Sequence, residues 1–385
     1  MTTVDQSIAA VRPAGGPIPL VDLGAQISEI RDELWPALRR VVDDTAFIGG
    51  SPVREFESAY ADYLGSTHCI GVANGTDALE IALRSVGVGP GDEVVVPANS
   101  FVASAEAVER IGAVTVFADV DPDHLLLDPA SCAEVLTPRT RAIVPVHLFG
   151  QVAPVENLVS SCAAAGISIV EDCAQAQGAR RGGRTAGTLG DVSATSFYPG
   201  KNLGAVGDAG AVVTSNDEFA RTARMLGAHG SVAKYHHEIL GFNSRLDAVQ
   251  AVVLSLKLTR LDDWNTRRRS AAARYEQMLA DVPEVVTPQS ASGNDDVWHL
   301  YVVRVQDRDR VVTRLGELGI GAGVHYPVPL HLTPALAHRG RGVGAHPVAE
   351  AAAGEILSLP LHPHITEQQQ QTVVAALVSA IRGSS

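Results

Sequence analysis

The stretch SFYPGKNLGAVGDAG, residues 196–210, sets one lysine, Lys201, among Gly200, Gly204, Gly207 and Gly210. A phosphate-cradling nucleotide loop needs a glycine five residues before its Gly-Lys pair and a Ser or Thr after it. The chain has Thr195 and Asn202 at those places. The dinucleotide pattern G-x-G-x-x-G fails too, because no G-x-G pair occurs among these glycines. Lys201 is therefore either an ordinary surface lysine in a loop or the carrier of another chemistry, and the segments around it must decide.

Working outward, short β-rich runs alternate with helical ones from about residue 67 to 215. The strand candidates are Glu93–Pro97, Ala113–Val120, Ala142–His147, Ser168–Glu171, Ala194–Tyr198 and Ala211–Thr214, with helical segments near 76–86, 101–112 and 153–165. This alternation predicts an α/β layer with a mostly parallel sheet. Upstream, Ile27, Ile30, Leu34, Leu38 and Val41 keep helical spacing. After Arg245 the pattern changes. Residues 246–281 read as one long helical stretch, then strand, helix and strand follow near 300–306, 309–318 and 321–326. Thr366 with Gln369 three residues on marks the start of a closing helix. The expected organisation is a tail over 1–17, a large α/β domain over 18–255 and a smaller α+β domain over 256–385.

Composition narrows the function classes. Of 385 residues, 46% are hydrophobic, enough for a sizeable core. A net charge of −13 argues against nucleic acid or an anionic membrane surface as the main partner. Cys69, Cys132, Cys162 and Cys173 are scattered without a C-x-x-C pair, so neither a metal site nor a disulfide framework is expected. No basic leader followed by an apolar run opens the chain, and no apolar run is long enough to span a membrane. A cytoplasmic protein is expected.

Parallel sheets bring ligand groups to the carboxyl ends of their strands, and four polar clusters fall at such places. VEDCAQAQGA supplies Asp172, ANGTDAL supplies Gly75 and Thr76, PANSFVAS supplies Phe101, and SATSFYPGK supplies Ser196 and Lys201. Each alone reads as a cap or turn residue. Together they suit pyridoxal 5'-phosphate. That cofactor takes a lysine amine, a carboxylate on its pyridinium nitrogen, helix-end amides and hydroxyls for its phosphate, and a flat aromatic neighbour.

The stretches ANGTDALEIAL, EDCAQAQGA, SFYPGKNLGAVGDAGAVVT, GFNSRLDAVQA, VWHLYVVR, GVHYPVPLHL and SLPLHP occur in that order. With them the chain resembles the DegT-type sugar aminotransferases, a branch of the fold-type-I pyridoxal-phosphate enzymes. The likeness runs from about Ile18 to Ile381 and implies the fold-type-I architecture. It also implies roles. Lys201 carries the cofactor covalently, Asp172 pairs with its ring nitrogen, and Gln175 contacts its ring hydroxyl. Gly75, Thr76 and Ser196 bind the phosphate, and Phe101 stacks on the ring. Asn243 reaches the phosphate in a neighbouring subunit, which implies a homodimer with shared sites. The family usually has histidine where this chain has Gln177, and glutamine cannot titrate near pH 7.

The implied reaction moves an amine from L-glutamate to a nucleotide-linked keto sugar. GVHYPVPLHL looks most like the branch acting at the 3-keto position of dTDP-6-deoxyhexoses, with His325, Tyr326 and His331 as candidate acceptor contacts. Arginine and lysine side chains are expected near the pocket to offset the negative net charge. Transamination of a 4-keto nucleotide sugar or a cyclitol ketone stays open. So does a pyridoxal-phosphate-binding regulator without turnover, although no basic DNA-binding module is apparent.

Overall fold

The computed structural model describes residues 16–383, so most of the expected tail over 1–17 lies outside the described residues. Seven strands form the main sheet: β1 (His68–Val72), β2 (Glu93–Pro97), β3 (Val114–Ala118), β4 (Thr140–Ile143), β5 (Ser168–Asp172), β6 (Val192–Ser196) and β7 (Gly210–Thr214). Their spatial order is β1-β7-β6-β5-β4-β2-β3. The β2–β3, β2–β4, β4–β5 and β5–β6 pairs are parallel, and β7 runs antiparallel to both of its neighbours. A sheet covered on both faces reads as continuous apolar runs, and β2, EVVVP, is buried at every position.

Helices close both faces. Gly75–Ser85 and Val102–Ile111 pack together on one side. Leu23–Asp43 and Gly50–Leu64 pack on Ala248–Leu258. There Phe56, Tyr60, Phe197 and Leu254 share one buried cluster. Farther along, Tyr301–Arg304 pairs antiparallel with Ile356–Leu359. Helices Leu261–Leu279, Arg308–Glu317 and Glu367–Arg382 contribute Tyr275, Leu315 and Val373 to the core around that pair. The last helix opens with both halves of the Thr366/Gln369 capping box.

Two elements differ from the sequence reading. The expected single helix over 246–281 is two, Ala248–Leu258 and Leu261–Leu279, separated at Thr259 and Arg260. Packing divides them: the first lies on the N-terminal helices and the second on the C-terminal one. The expected strand over 321–326 is reduced to one bridge, Gly323 with Ser358, because the chain leaves the pair there to form the wall of a cavity at His325 and Tyr326. The reading also lacked β1 and the helices Gly50–Leu64 and Asp217–Gly227.

Candidate active site

A cavity of about 490 Å³ opens at the carboxyl ends of the central strands. Asn74, Gly75, Thr76, Phe101, Asp172, Gln175, Ser196, Lys201, His325 and Tyr326 all line it. The structure thus brings together nearly every residue singled out in the sequence.

The glycines around Lys201 are explained by contact. Phe197 N–H donates to Ala209 O and Ala205 N–H to Phe197 O, each at 2.8 Å, so the lysine loop closes on itself. A Cβ on Gly204 would stand 2.4 Å from Pro199 O, and one on Gly210 would stand 2.4 Å from Asn74 O. No side chain fits at either place. Lys257, only 2% exposed, reaches in from Ala248–Leu258 and donates to Gly204 O at 2.7 Å.

Lys201 Nζ makes no hydrogen bond among the described residues. Burial brings its amine down from 10.5 to about 8, and the Asp172 carboxylate opposes that shift. Asp172 is 5% exposed and ends β5. Its Oδ2 accepts from Ser104 Oγ at 2.8 Å and its Oδ1 from Ala174 N–H at 3.1 Å. Ser100 lies 2.7 Å from Ser104 Oγ, one helical turn before it. Since Ser104 spends its hydrogen on Asp172, Ser100 is the donor of that pair.

One residue earlier, Glu171 is fully buried and accepts from the N–H groups of Gly187, Leu189 and Gly190 and from His147 Nε2. His147 Nδ1 accepts from Ala153 N–H, so Nε2 carries the ring's proton. His147, Glu171 and Cys173 lie within metal-binding distance of one another. The histidine and carboxylate already have full hydrogen-bond partners, and the group reads as an anchor for the end of β5.

Helix Gly75–Ser85 begins beside Ser196. Asn74 caps it by accepting from Asp77 N–H at 2.8 Å. The first-turn amides of Gly75 and Thr76 are left free of intrahelical partners. A Cβ on Gly75 would lie 2.5 Å from Ser196 Cβ, so only glycine lets the helix end and the serine share one concave spot. Free amides, a helix dipole and a hydroxyl together suit a phosphate.

Gln175 Oε1 accepts from Phe149 N–H at 2.7 Å, and its Nε2 donates to Tyr326 Oη at 3.2 Å. Phe101, half exposed, and Tyr326 place their ring centres 5.3 Å apart at the cavity edge. His325 Nδ1 pairs with Ser358 Oγ at 2.8 Å. These groups fit pyridoxal phosphate: an unpaired amine, a buried carboxylate facing it, and a cradle that a methyl group would fill.

Two expectations fail, those for His331 and for basic side chains at the cavity. His331 does not reach the cavity. It is 1% exposed, its Nε2 lies 3.0 Å from Glu350 Oε1, and its ring faces Phe117 and His346. The cause is the turn after Pro329, where Leu330 N–H bonds Ala98 O and the chain heads away from the cavity. Gln177 is a buried tie that does not line the cavity: its Nε2 bonds Thr195 Oγ1 at 3.0 Å and Ser196 O at 2.9 Å. Among the described residues no arginine lines the cavity, Lys201 is its one lysine, and Asp208 adds a carboxylate. Asn243 lies outside it, exposed and bridged to Ala228.

Sequence reasoning missed Ser100, Ser104, Tyr198, Asp208 and His299 as cavity residues. Ser100 and Ser104 carried a signal, two hydroxyls one helical turn apart after an apolar strand. Tyr198 and Asp208 flank Lys201 in sequence with nothing to separate them from loop residues.

A family model described as the DegT/DnrJ/EryC1/StrS aminotransferase family matches residues 28–378. The chain is 46% identical over 360 residues to dTDP-3-amino-3,4,6-trideoxy-alpha-D-glucose transaminase of Streptomyces venezuelae, covering 94% of this chain and 95% of that one. It is 41% identical over 367 residues to UDP-N-acetyl-3-dehydro-alpha-D-glucosamine 3-aminotransferase of Acidithiobacillus ferrooxidans, covering 95% and 98%. Among solved structures, S. venezuelae DesV in complex with a ketimine intermediate matches with a TM-score of 0.94 and 44% identity, over 96% of this chain and 100% of that one.

Proposed function

The chain belongs to the DegT/DnrJ/EryC1/StrS aminotransferase family and is a pyridoxal-phosphate-dependent sugar aminotransferase, and on that premise we propose that it transfers an amino group from L-glutamate to a dTDP-linked 3-keto-6-deoxyhexose. The observation that carries the acceptor is the 46% identity, across nearly the whole length, to an enzyme named for a dTDP-3-amino sugar. The UDP-linked relative at 41% makes the nucleotide a question for assay.

Pyridoxal phosphate, when bound, supplies the electron sink that lets a carbon beside an amine lose its proton. The chain supplies the rest. Lys201 Nζ takes the proton from the donor carbon and returns one at the neighbouring position, and an amine near 8 can do both at neutral pH. Asp172 would keep a proton on the cofactor's ring nitrogen, and Ser104 holds that carboxylate turned inward. Gly75, Thr76 and Ser196 bind the phosphate. Phe101 would stack on the ring, and Gln175, fixed by Phe149 N–H, would meet its hydroxyl. His325 and Tyr326 face the acceptor.

We also place Asn243 in a second copy's site. A cavity with one lysine, two carboxylates and no arginine suits an anionic nucleotide poorly. A homodimer that lends residues across its interface supplies the missing donors. Among the described residues no helix is long and apolar enough to cross a membrane, and the four free, buried cysteines suit the cytoplasm.

The test is incubation with glutamate and dTDP-linked 3-keto, dTDP-linked 4-keto, UDP-linked 3-keto and free keto sugars plus a cyclitol ketone, with products read by mass. Amination should be fastest for the dTDP-linked 3-keto sugar. Equal reaction of free sugars or cyclitols would overturn the nucleotide assignment, and cofactor binding without turnover of any acceptor would favour a regulator.

A further inference from the structure

His299 lines the same cavity as Lys201 and is 8% exposed. Its place is fixed from two sides. The buried Arg268 guanidinium donates through Nη1 to the carbonyls of Trp298, His299 and Leu361 at 3.2, 3.4 and 3.1 Å. On the ring, Nδ1 lies 3.1 Å from Asn202 Oδ1.

The direction of that ring contact follows from what lies behind it. Asn265 Nδ2 donates to the main-chain carbonyl of Gln177 at 2.9 Å. A carbonyl only accepts, so the Asn265 amide has one orientation and its Oδ1 faces Asn202. Asn202 Nδ2 then donates to Asn265 Oδ1 at 2.9 Å and to Val297 O at 3.0 Å, again a carbonyl. Both amide hydrogens of Asn202 are used, and its Oδ1 is left as the partner of His299. Nδ1 must therefore be the donor, and the neutral ring carries its lone pair on Nε2. Nε2 has no partner among the described residues. Burial, Lys201, Arg268 and His325 all act against adding a second proton to the ring.

We propose that His299 is a positioning residue for Lys201: its Nε2, kept bare by the Asn202–Asn265 relay, accepts a hydrogen bond from the Lys201 ammonium when the amine form of the cofactor fills the cavity. The acceptor holds the amine inside the cavity and stabilises its protonated form, so the proton that the lysine takes up is kept at the site. Asp172 favours the same charge through space, and His299 adds a directed contact.

This inference rests on the pyridoxal-phosphate reading but not on the identity of the sugar. The experiment uses enzyme carrying the amine form of the cofactor, in which Lys201 is free. Competitive labelling with acetic anhydride across pH, read at the Lys201 peptide by mass, gives the midpoint at which the amine loses its proton. Losing an acceptor for the charged form lowers that midpoint. His299→Phe should lower it by about one unit. Asn202→Leu, which keeps the imidazole but frees its tautomer, should lower it as well. An unchanged or raised midpoint in His299→Phe overturns the proposal, since a merely structural ring moves nothing and a charged one moves it upward. Independently of either variant, 15N-histidine spectra of the unmodified enzyme should show a bare Nε2 at His299, and a proton there also overturns it. Neither measurement needs an acceptor, so failure of the substrate assignment would leave the result standing.

Discussion

Replacing Gly75 with alanine tests the phosphate cradle most directly. The added Cβ would stand 2.5 Å from Ser196 Cβ, 3.0 Å from its Oγ and 3.1 Å from its Cα. Carbon atoms rest at about 3.5 Å or more, so the helix end and the end of β6 must part by roughly 1 Å. Ser196 cannot swing aside freely, because its Oγ accepts from Tyr198 N–H at 3.2 Å and its carbonyl is held by Gln177. Overpacking of this kind costs about 1–3 kcal/mol. A cradle opened by that distance loses at least one charge-assisted hydrogen bond to phosphate, worth about 1.5–3 kcal/mol. The expected result is cofactor affinity weakened roughly 10- to 100-fold, with the helical spectrum intact. Titration of the cofactor-free variant by absorbance gives the affinity, and thermal melting separates it from loss of fold. Gly354→Ala is the control: nothing lies within 4 Å of its Cβ, it sits in Pro347–Glu355, and it should be neutral or slightly stabilising. Affinity within twofold of the unmodified protein in Gly75→Ala would refute the cradle.

Asp172→Asn removes the charge opposite Lys201, and both half-reactions should slow by about two orders of magnitude or more; near-normal single-turnover rates would mean that the ring nitrogen has another partner. Lys201→Ala and Asn243→Ala chains, each inactive alone, should regain activity when mixed under subunit exchange, because one heterodimer site then carries neither defect; no recovery would place Asn243 in its own chain's site. Burial brings Lys257 down to about 8, so between there and its unfolded value the unfolded chain holds a proton that the folded one has released, and stability rises with pH across that window. The difference in unfolding free energy between Lys257→Met and the unmodified protein should therefore shift by about 3 kcal/mol in favour of the unmodified protein from pH 7 to pH 10.5, and urea melts giving one constant difference would contradict it.

The cofactor side of the cavity was legible because its residues sit in short clusters at strand ends and helix starts, places that physics marks. Strand β2 was read to the residue because its valine run, Val94–Val96, is bounded by Glu93 and Pro97. Strand β1, HCIGV, was missed because its signal is short and its partner β7 lies far along the chain. Helix Asp217–Gly227 was missed although Asn216 caps it, since its outer face is charged and its buried positions are mostly small. The break at Thr259 carries no glycine or proline, and only the two packing partners reveal it. His331 misled because sequence places it near Tyr326, whereas backbone direction after Pro329 decides where its ring points. His299 could not be judged from sequence at all, because its tautomer depends on Asn202, Asn265 and the carbonyls of Gln177 and Val297.

The pairing of β1 with β7 bears on how the chain is made. His68 lies opposite Thr214 and Val72 opposite Gly210, so the first strand of the sheet waits for the last. Helix Gly75–Ser85 cannot be set against Ser196 until that ladder closes, and Gly210 itself packs on Asn74. During synthesis, then, the ribosome must release the chain well past residue 214 before any cofactor pocket exists. Pairings of such long sequence separation form slowly. Cofactor capture is therefore a late event in the protein's biogenesis, and the nascent chain must stay out of trouble without its ligand's help.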